Sequence, residues 1–222
     1  MGHEYLLPTP TAALEQISTL GMRPAPWEVV DYPKQRSIGN FESVLFEPDN
    51  WKPSYPNPAF QNRLPDDDYW AAKQVMAFDD GDIAAIVETG QYSDSQAAAL
   101  MARILEERRD KIGRTFFSRI LPLDHFRVEN GELLFDDLAV KYRFHPARHY
   151  EVHWSSFDNI QQKHTPISGS GSSRLPAAAT QAAAGAYFSA SIGASGDPLK
   201  PVTVYIRKED NRYKVVGVDR SW

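Results

Sequence analysis

The stretch HYEVHWSSF, from His149 to Phe157, changes side-chain character at every second position. In an extended chain successive side chains point to opposite faces. Tyr150, Val152 and Trp154 therefore share one side, and His149, Glu151 and His153 share the other. A strand buried on one face and wet on the other needs this alternation. The same spacing would also set three metal-ligating groups side by side, because two histidines separated by one residue can bind zinc together. Further ligands would have to come from elsewhere, and His145 and His164 stand in no recognisable spacing to the three. The alternation accounts for all six residues without a metal, so we read His149, Glu151 and His153 as the exposed face of a strand. A metal-dependent hydrolase centred on them is the alternative.

Outward from this strand the same period of two recurs. FRVENGELLF, Phe126 to Phe135, predicts a hairpin, since Asn130-Gly131 supplies the positive φ angles of a tight turn. Further strands are expected at LAVKYRF, AYFSASIG, PVTVYIRKE and YKVVGVDR. Together they predict a small all-β domain over residues 122–222, an antiparallel β-sandwich-like fold. Between two strands lies a segment first rich in Ser and Gly and then in Ala. Poor in bulky apolar side chains, it predicts a mobile loop over residues 167–186.

Before Pro122 the period is that of helices. TAALEQISTL, residues 11–20, is amphipathic, with Thr11 as a cap and Gly21 as the stop. Seven prolines between Met22 and Leu64 then predict an irregular strap with short strands at WEVVDY and FESVLF. Asp66, Asp67 and Asp68 open a second helix, Asp79 or Asp80 a third that Gly90 closes in a left-handed cap, and Ser93 with Gln96 a capping box for a fourth. That last helix is expected over residues 94–120, with Leu100, Ile104, Leu105, Ile112, Phe116 and Ile120 on one face. The fold class is thus α+β: a mainly helical unit with a proline-rich strap over residues 1–121, followed by the β domain.

Composition excludes several classes of function. A net charge of -5 argues against binding to nucleic acid, and no apolar run is long enough to cross a bilayer. The first residues carry no export signal, and the compartment stays open. With no cysteine there is no disulfide, thiolate nucleophile or thiolate metal site. No Gly-rich phosphate loop, Gly-x-Ser-x-Gly elbow or His-Glu-x-x-His motif is present, so neither catalytic residues nor a cofactor are assigned. The acidic groups Asp66 to Asp68 and Asp79, Asp80 and Asp82 are explained by helix starts. Arg108, Arg109, Lys111 and Arg114 are explained by a solvated helix face with Glu106 and Glu107 as local partners. In WKPSYPNPAF, Trp51 to Phe60, aromatics alternate with prolines. Packing of Trp51, Tyr55 and Phe60 against the helices accounts for them, and an interaction surface made by the same three is the alternative.

Three stretches together resemble the C-terminal part of a family of long, uncharacterised bacterial proteins: Thr19 to Phe60, DDDYWAAKQVMAFDDGDIAAIVETGQYSD from Asp66, and LEERRDKIGR from Leu105. PVTVYIRKEDNRYKVVGV, from Pro201, extends the likeness into the β part. Longer members carry, ahead of the region equivalent to GHEYLL, patterns similar to the catalytic segments of an atypical kinase. The resemblance implies that residues 1–121 are the helical remainder of a kinase-like lobe, that the active half is missing here, and that no family catalytic residue has a counterpart in this chain. The function it implies is that of a non-catalytic module or fragment with scaffold or binding roles. Its partner would be the missing N-terminal region or another protein surface, with self-association where the apolar surface is left open.

Overall fold

The computed structural model describes residues 10–24, 29–51, 53, 55, 57–168, 171–210 and 212–221. Mixed helix and antiparallel sheet make this an α+β protein. It divides into two compact units, Met1–Thr115 and Phe116–Trp222.

The first unit is helical: α1 (Pro10–Ser18), α2 (Pro58–Gln61), α3 (Pro65–Met76), α4 (Asp80–Glu88) and α5 (Ser95–Phe117), the last running two residues into the second unit. Tyr69, Ala72 and Met76 of α3 and Ile83 and Val87 of α4 are buried at helical spacing. The caps differ in detail from expectation. Asp79 and Asp82 reciprocally cap α4, but the left-handed residue after it is Gln91, with φ 49°, not Gly90. The start of α5 is capped by Asp94, whose carboxylate accepts the Gln96 N–H at 2.9 Å, so Ser93 is not its cap. This helix stops at Phe117, and Phe117, not Phe116, is the fully buried aromatic.

Neither strand expected in the strap forms among its described residues. WEVVDY falls partly outside them. FESVLF is a turn, because the Glu42 carboxylate takes the Leu45 N–H at 2.8 Å and the Phe46 N–H returns to Ser43. A folded-back strap has no neighbour with which to build a ladder. It is held instead by α5. The Arg108 guanidinium lies between the rings of Phe41 and Phe46, at 4.1 and 4.7 Å from their centroids, and donates to the Glu42 carbonyl. Lys111 donates to the carbonyls of Val44 and Phe46.

The second unit opens with the hairpin β1 (Leu123–Glu129) and β2 (Glu132–Asp137). Its turn residues Asn130 and Gly131 have φ of 51° and 77°, as the Asn-Gly pair demands. LAVKYRF is not a strand. Its first residues form the short helix α6 (Leu138–Lys141), which Asp137 caps by accepting the Val140 N–H at 3.1 Å. A five-stranded antiparallel sheet follows: β3 (Tyr150–Asp158), β4 (Lys163–Pro166), β5 (Tyr187–Ala194), β6 (Val202–Lys208) and β7 (Tyr213–Arg220), in the order β4-β3-β5-β6-β7. The core face is stacked in rows across the register. Val152, Ile192 and Val202 make one, Trp154, Ala190 and Val204 the next. The largest side chain thus sits beside the smallest, and all six are essentially inaccessible. Leu123, Leu133, Phe126, Val128 and Phe135 of the hairpin pack into the same cluster, which gives the sandwich-like layering.

In the segment between β4 and β5, expected as a loop, the described residues make backbone contacts and include a short helix. The Ile167 N–H donates to the Trp154 carbonyl, and the Trp154 indole donates to the Ser172 carbonyl at 3.0 Å. The Leu133 N–H reaches the Ser173 carbonyl and the Leu175 N–H the Gly131 carbonyl, both at 2.9 Å, so residues 173–175 line the hairpin. Helix α7 (Ala177–Gln181) then places Ala179 in the core with no exposed surface. At Ala179 a small residue is required, because its side chain is wholly enclosed by the core. Backbone groups make most of these contacts in a segment poor in bulky side chains.

Ala179→Leu therefore overpacks the core and lowers stability by about 1–3 kcal/mol, whereas Ala183→Leu, exposed just beyond α7, changes it by less than about 0.5 kcal/mol. Urea unfolding midpoints of the two variants check the difference. Equal midpoints would mean that α7 is not seated as described.

Candidate functional site

Of the residues marked by the opening stretch, Glu151 and His153 stand on the outer face of β3, and His149 lies just before the strand. All three are exposed. The nearest approach of a Glu151 oxygen to a His153 ring nitrogen is 3.9 Å, and the other Glu151 oxygen accepts a hydrogen bond from the Ser195 hydroxyl at 2.8 Å. Neither His145 nor His164 joins them. His145 turns its ring onto the Pro146 carbonyl, and His164 pairs with Ser189. Among the described residues no group of three or more His, Asp or Glu is placed to hold a metal ion. The spacing legible in sequence sets residues on one face, but ligation needs them to converge on a point.

Several carboxylates at the helix starts are engaged, some locally and Asp80 by the distant Arg109. Asp67 accepts the Leu64 N–H, Asp68 pairs with Arg63 at 2.7 Å, and Asp80 pairs with Arg109 at 2.7 Å. Burial pushes the Asp68 carboxyl up, against the pull of Arg63. Arg108, Arg109 and Lys111 depart from the expected solvated face. Their donors go to backbone carbonyls of the strap and of Phe78, and Arg109 also pairs with Asp110. The aromatics of the proline-rich stretch also depart from expectation. Trp51 is 38% exposed, Tyr55 87% and Phe60 44%. Trp51 and Phe60 meet edge to face with centroids 5.6 Å apart. They pair with each other and remain on the surface.

Two clusters were not visible in the sequence. The first is a buried clasp around Arg148, which donates to Asp137 and, at 2.9 Å, to Asp197. The Tyr150 hydroxyl donates to the same Asp137 oxygen at 2.7 Å, while the other oxygen caps α6. Both partners of the Arg148–Asp137 pair have under a tenth of their side-chain surface exposed. Three chain segments, the end of β2, the approach to β3 and the turn after β5, are tied at one charge. Burial raises the Tyr150 phenol well above its ordinary value of 10.0, and the neighbouring Asp137 carboxylate adds to the shift. Every polar atom named here has a partner within the cluster, so its chemistry is positional.

The second cluster lies on the outer face of the sheet. The rings of Phe157 and His164 stand 4.8 Å apart, those of Phe157 and Tyr205 4.8 Å, and those of His164 and Tyr205 5.8 Å. Register brings them together. Phe157 faces His164 across one ladder, Ser155, Ser189, Tyr205 and Gly217 form the adjoining row, and the Tyr205 side chain lies over Gly217 at van der Waals distance. His164 Nδ1 and the Ser189 hydroxyl are 2.8 Å apart. A serine beside a histidine is the geometry of an activated nucleophile. Ser189 is only 3% exposed, however, and a nucleophile must be reached by its substrate. The pair therefore satisfies a buried hydroxyl.

Compared with family models, curated proteins and solved structures, the chain finds no match. Among the described residues no helix is long and apolar enough to cross a membrane.

Arg148→Met leaves the buried Asp137 carboxylate without its countercharge, and should destabilise the protein by about 3–5 kcal/mol; Tyr150→Phe, which removes one hydrogen bond, should cost about 1 kcal/mol. Denaturant titration measures both. The raised Tyr150 phenol also fixes a sign. Its contribution is complete below the unfolded value of 10.0 and is lost as pH rises above it, because the unfolded chain ionises first. Stability should fall above pH 10.0, and Tyr150→Phe should flatten that fall, leaving the parts due to Tyr205 and Tyr213, which are shifted in the same direction.

Proposed function

We propose that this chain is a non-catalytic scaffold or binding module whose helical unit docks on another protein surface. In the first instance that surface is the remainder of the longer kinase-like bacterial protein it resembles. One observation carries the reading. Helix α1 is amphipathic, yet its stripe residues Leu14 and Ile17 are 66% and 72% exposed, and Leu20 and Met22 just beyond it are more exposed still. An apolar stripe is worth roughly 25 cal/mol per Å² once covered, so an open one favours a partner. Trp51, Tyr55 and Phe60, with Leu64 and Trp70, extend the exposed apolar surface of the same unit. The metal-dependent hydrolase at His149, Glu151 and His153 has less support, since only Glu151 and His153 approach each other.

Co-purification with the kinase-like part of a longer family member tests the docking. Complex formation is expected, weakened roughly tenfold or more by Leu14→Ser with Ile17→Ser, while the melting temperature of the free chain stays unchanged. An unaltered affinity would overturn the assignment of α1 as the docking element. Calorimetric titration of the chain with Mg-ATP should give no binding tighter than about millimolar, because phosphate positioning needs a lysine, metal-holding groups and a backbone cradle together. Micromolar binding would remove the non-catalytic reading.

A further inference from the structure

The two edges of the five-stranded sheet are built differently. Strand β4 is four residues long, fully exposed, begins with Lys163 and ends with Pro166, features that stop another strand from adding to it. Strand β7 is eight residues long, contains no proline, and pairs with β6 on one side only. The hairpin meets β7 at its far end, where the Arg220 guanidinium donates to the Leu123 carbonyl at 2.9 Å.

The core layer runs open at this edge. Val218 lies opposite Val204 and so points to the core face, yet it is 37% exposed while Val204 is fully buried. Val216, the extra residue where the register shifts, is 46% exposed. Lys214 and Asp219 lie opposite Arg207 and Thr203 and share the outer face. A lysine on an edge ordinarily repels a strange strand. It does not repel this one. If two copies of β7 run antiparallel about a two-fold axis between Val216 and Gly217, Lys214 falls opposite Asp219 of the partner subunit. Val215 falls opposite Val218 of the partner subunit, on the core face. Because of the register shift these pairs match face for face, outer with outer and core with core, and symmetry makes each of them twice. Opposite charges directly across an antiparallel pair attract, and the apolar pair covers the exposed Val218.

We propose that β7 is the pairing edge for a second copy of this chain, the two sheets joining through Lys214–Asp219 and Val215–Val218 contacts across a two-fold axis. The placement is independent of the docking role of α1, which lies on the other unit.

Light scattering of the full chain over a range of concentrations tests it, with Lys214→Glu and with Lys214→Asp combined with Asp219→Lys. The wild type should dimerise, the single reversal should weaken the dimer roughly tenfold or more by setting like charges opposite each other, and the double exchange should restore it. The chain has no cysteine, so Val216→Cys introduces a unique thiol at the axis. A short bismaleimide should then link two chains, and Val44→Cys, exposed on the other unit, should link far less. A monomeric wild type, a dimer indifferent to Lys214→Glu, a folded double exchange that stays monomeric, or an unlinked Val216→Cys would each overturn the proposal. Lys214 is exposed, so its reversal leaves folding intact, which circular dichroism verifies.

Discussion

The indole of Trp154 holds the second unit together. It is the largest side chain fully buried on the core face of the sheet, and its bulk is accommodated because Ala190 stands directly opposite in the register. Its N–H, which burial would leave costly if unpaired, is satisfied by the Ser172 carbonyl. That single donation fixes where the chain returns between β4 and β5. Once Ser172 is held, Ser173 and Leu175 meet the hairpin, and Ala179 reaches the core. Removal of the ring would open a cavity and also release the segment that joins the two layers.

Charge is used here as rigid connection. Arg148 gathers three segments of the β unit, and Arg108, Arg109 and Lys111 tie loops of the helical unit to α5 through backbone carbonyls. Arginine suits this work because its planar fork offers several donors at fixed angles. In the strap this matters most, since prolines deprive the backbone of regular pairing and leave its carbonyls to be satisfied by side chains. Apolar surface is distributed in the opposite sense. The β unit closes its core except at the β7 edge, while the described part of the helical unit leaves Leu14, Ile17, Trp51, Tyr55 and Phe60 outside.

Some local signals were legible because the cause lies within a residue or two. Asn130-Gly131 specified its turn through backbone freedom, the aspartates preceding α4 specified its start, and the alternation from Tyr150 to Trp154 specified a half-buried strand. Errors arose where two local signals competed. LAVKYRF has strand composition, but Asp137 before it offers a cap, and the cap wins for the first four residues. Ser93 and Asp94 both suit the start of α5, and position relative to the first helical turn decides for Asp94.

By itself, then, the sequence determined the change of period that separates helices from strands, the longer helices and strands on either side of it, and the wet face on which Glu151 and His153 stand. These depend on side chains within a few positions of one another, where covalent geometry sets who is a neighbour. Tertiary structure alone decided that Arg148 meets Asp137 and Asp197, that Phe157, His164 and Tyr205 share one patch, that Ala179 of an alanine-rich segment reaches the core, and that the lysine and arginines of α5 hold the strap. Each of these rests on register or on contacts between residues 11 to 67 positions apart. Such contacts are chosen by which packing buries the most apolar surface without leaving polar atoms unpaired, a condition on the whole fold that no short window of sequence contains.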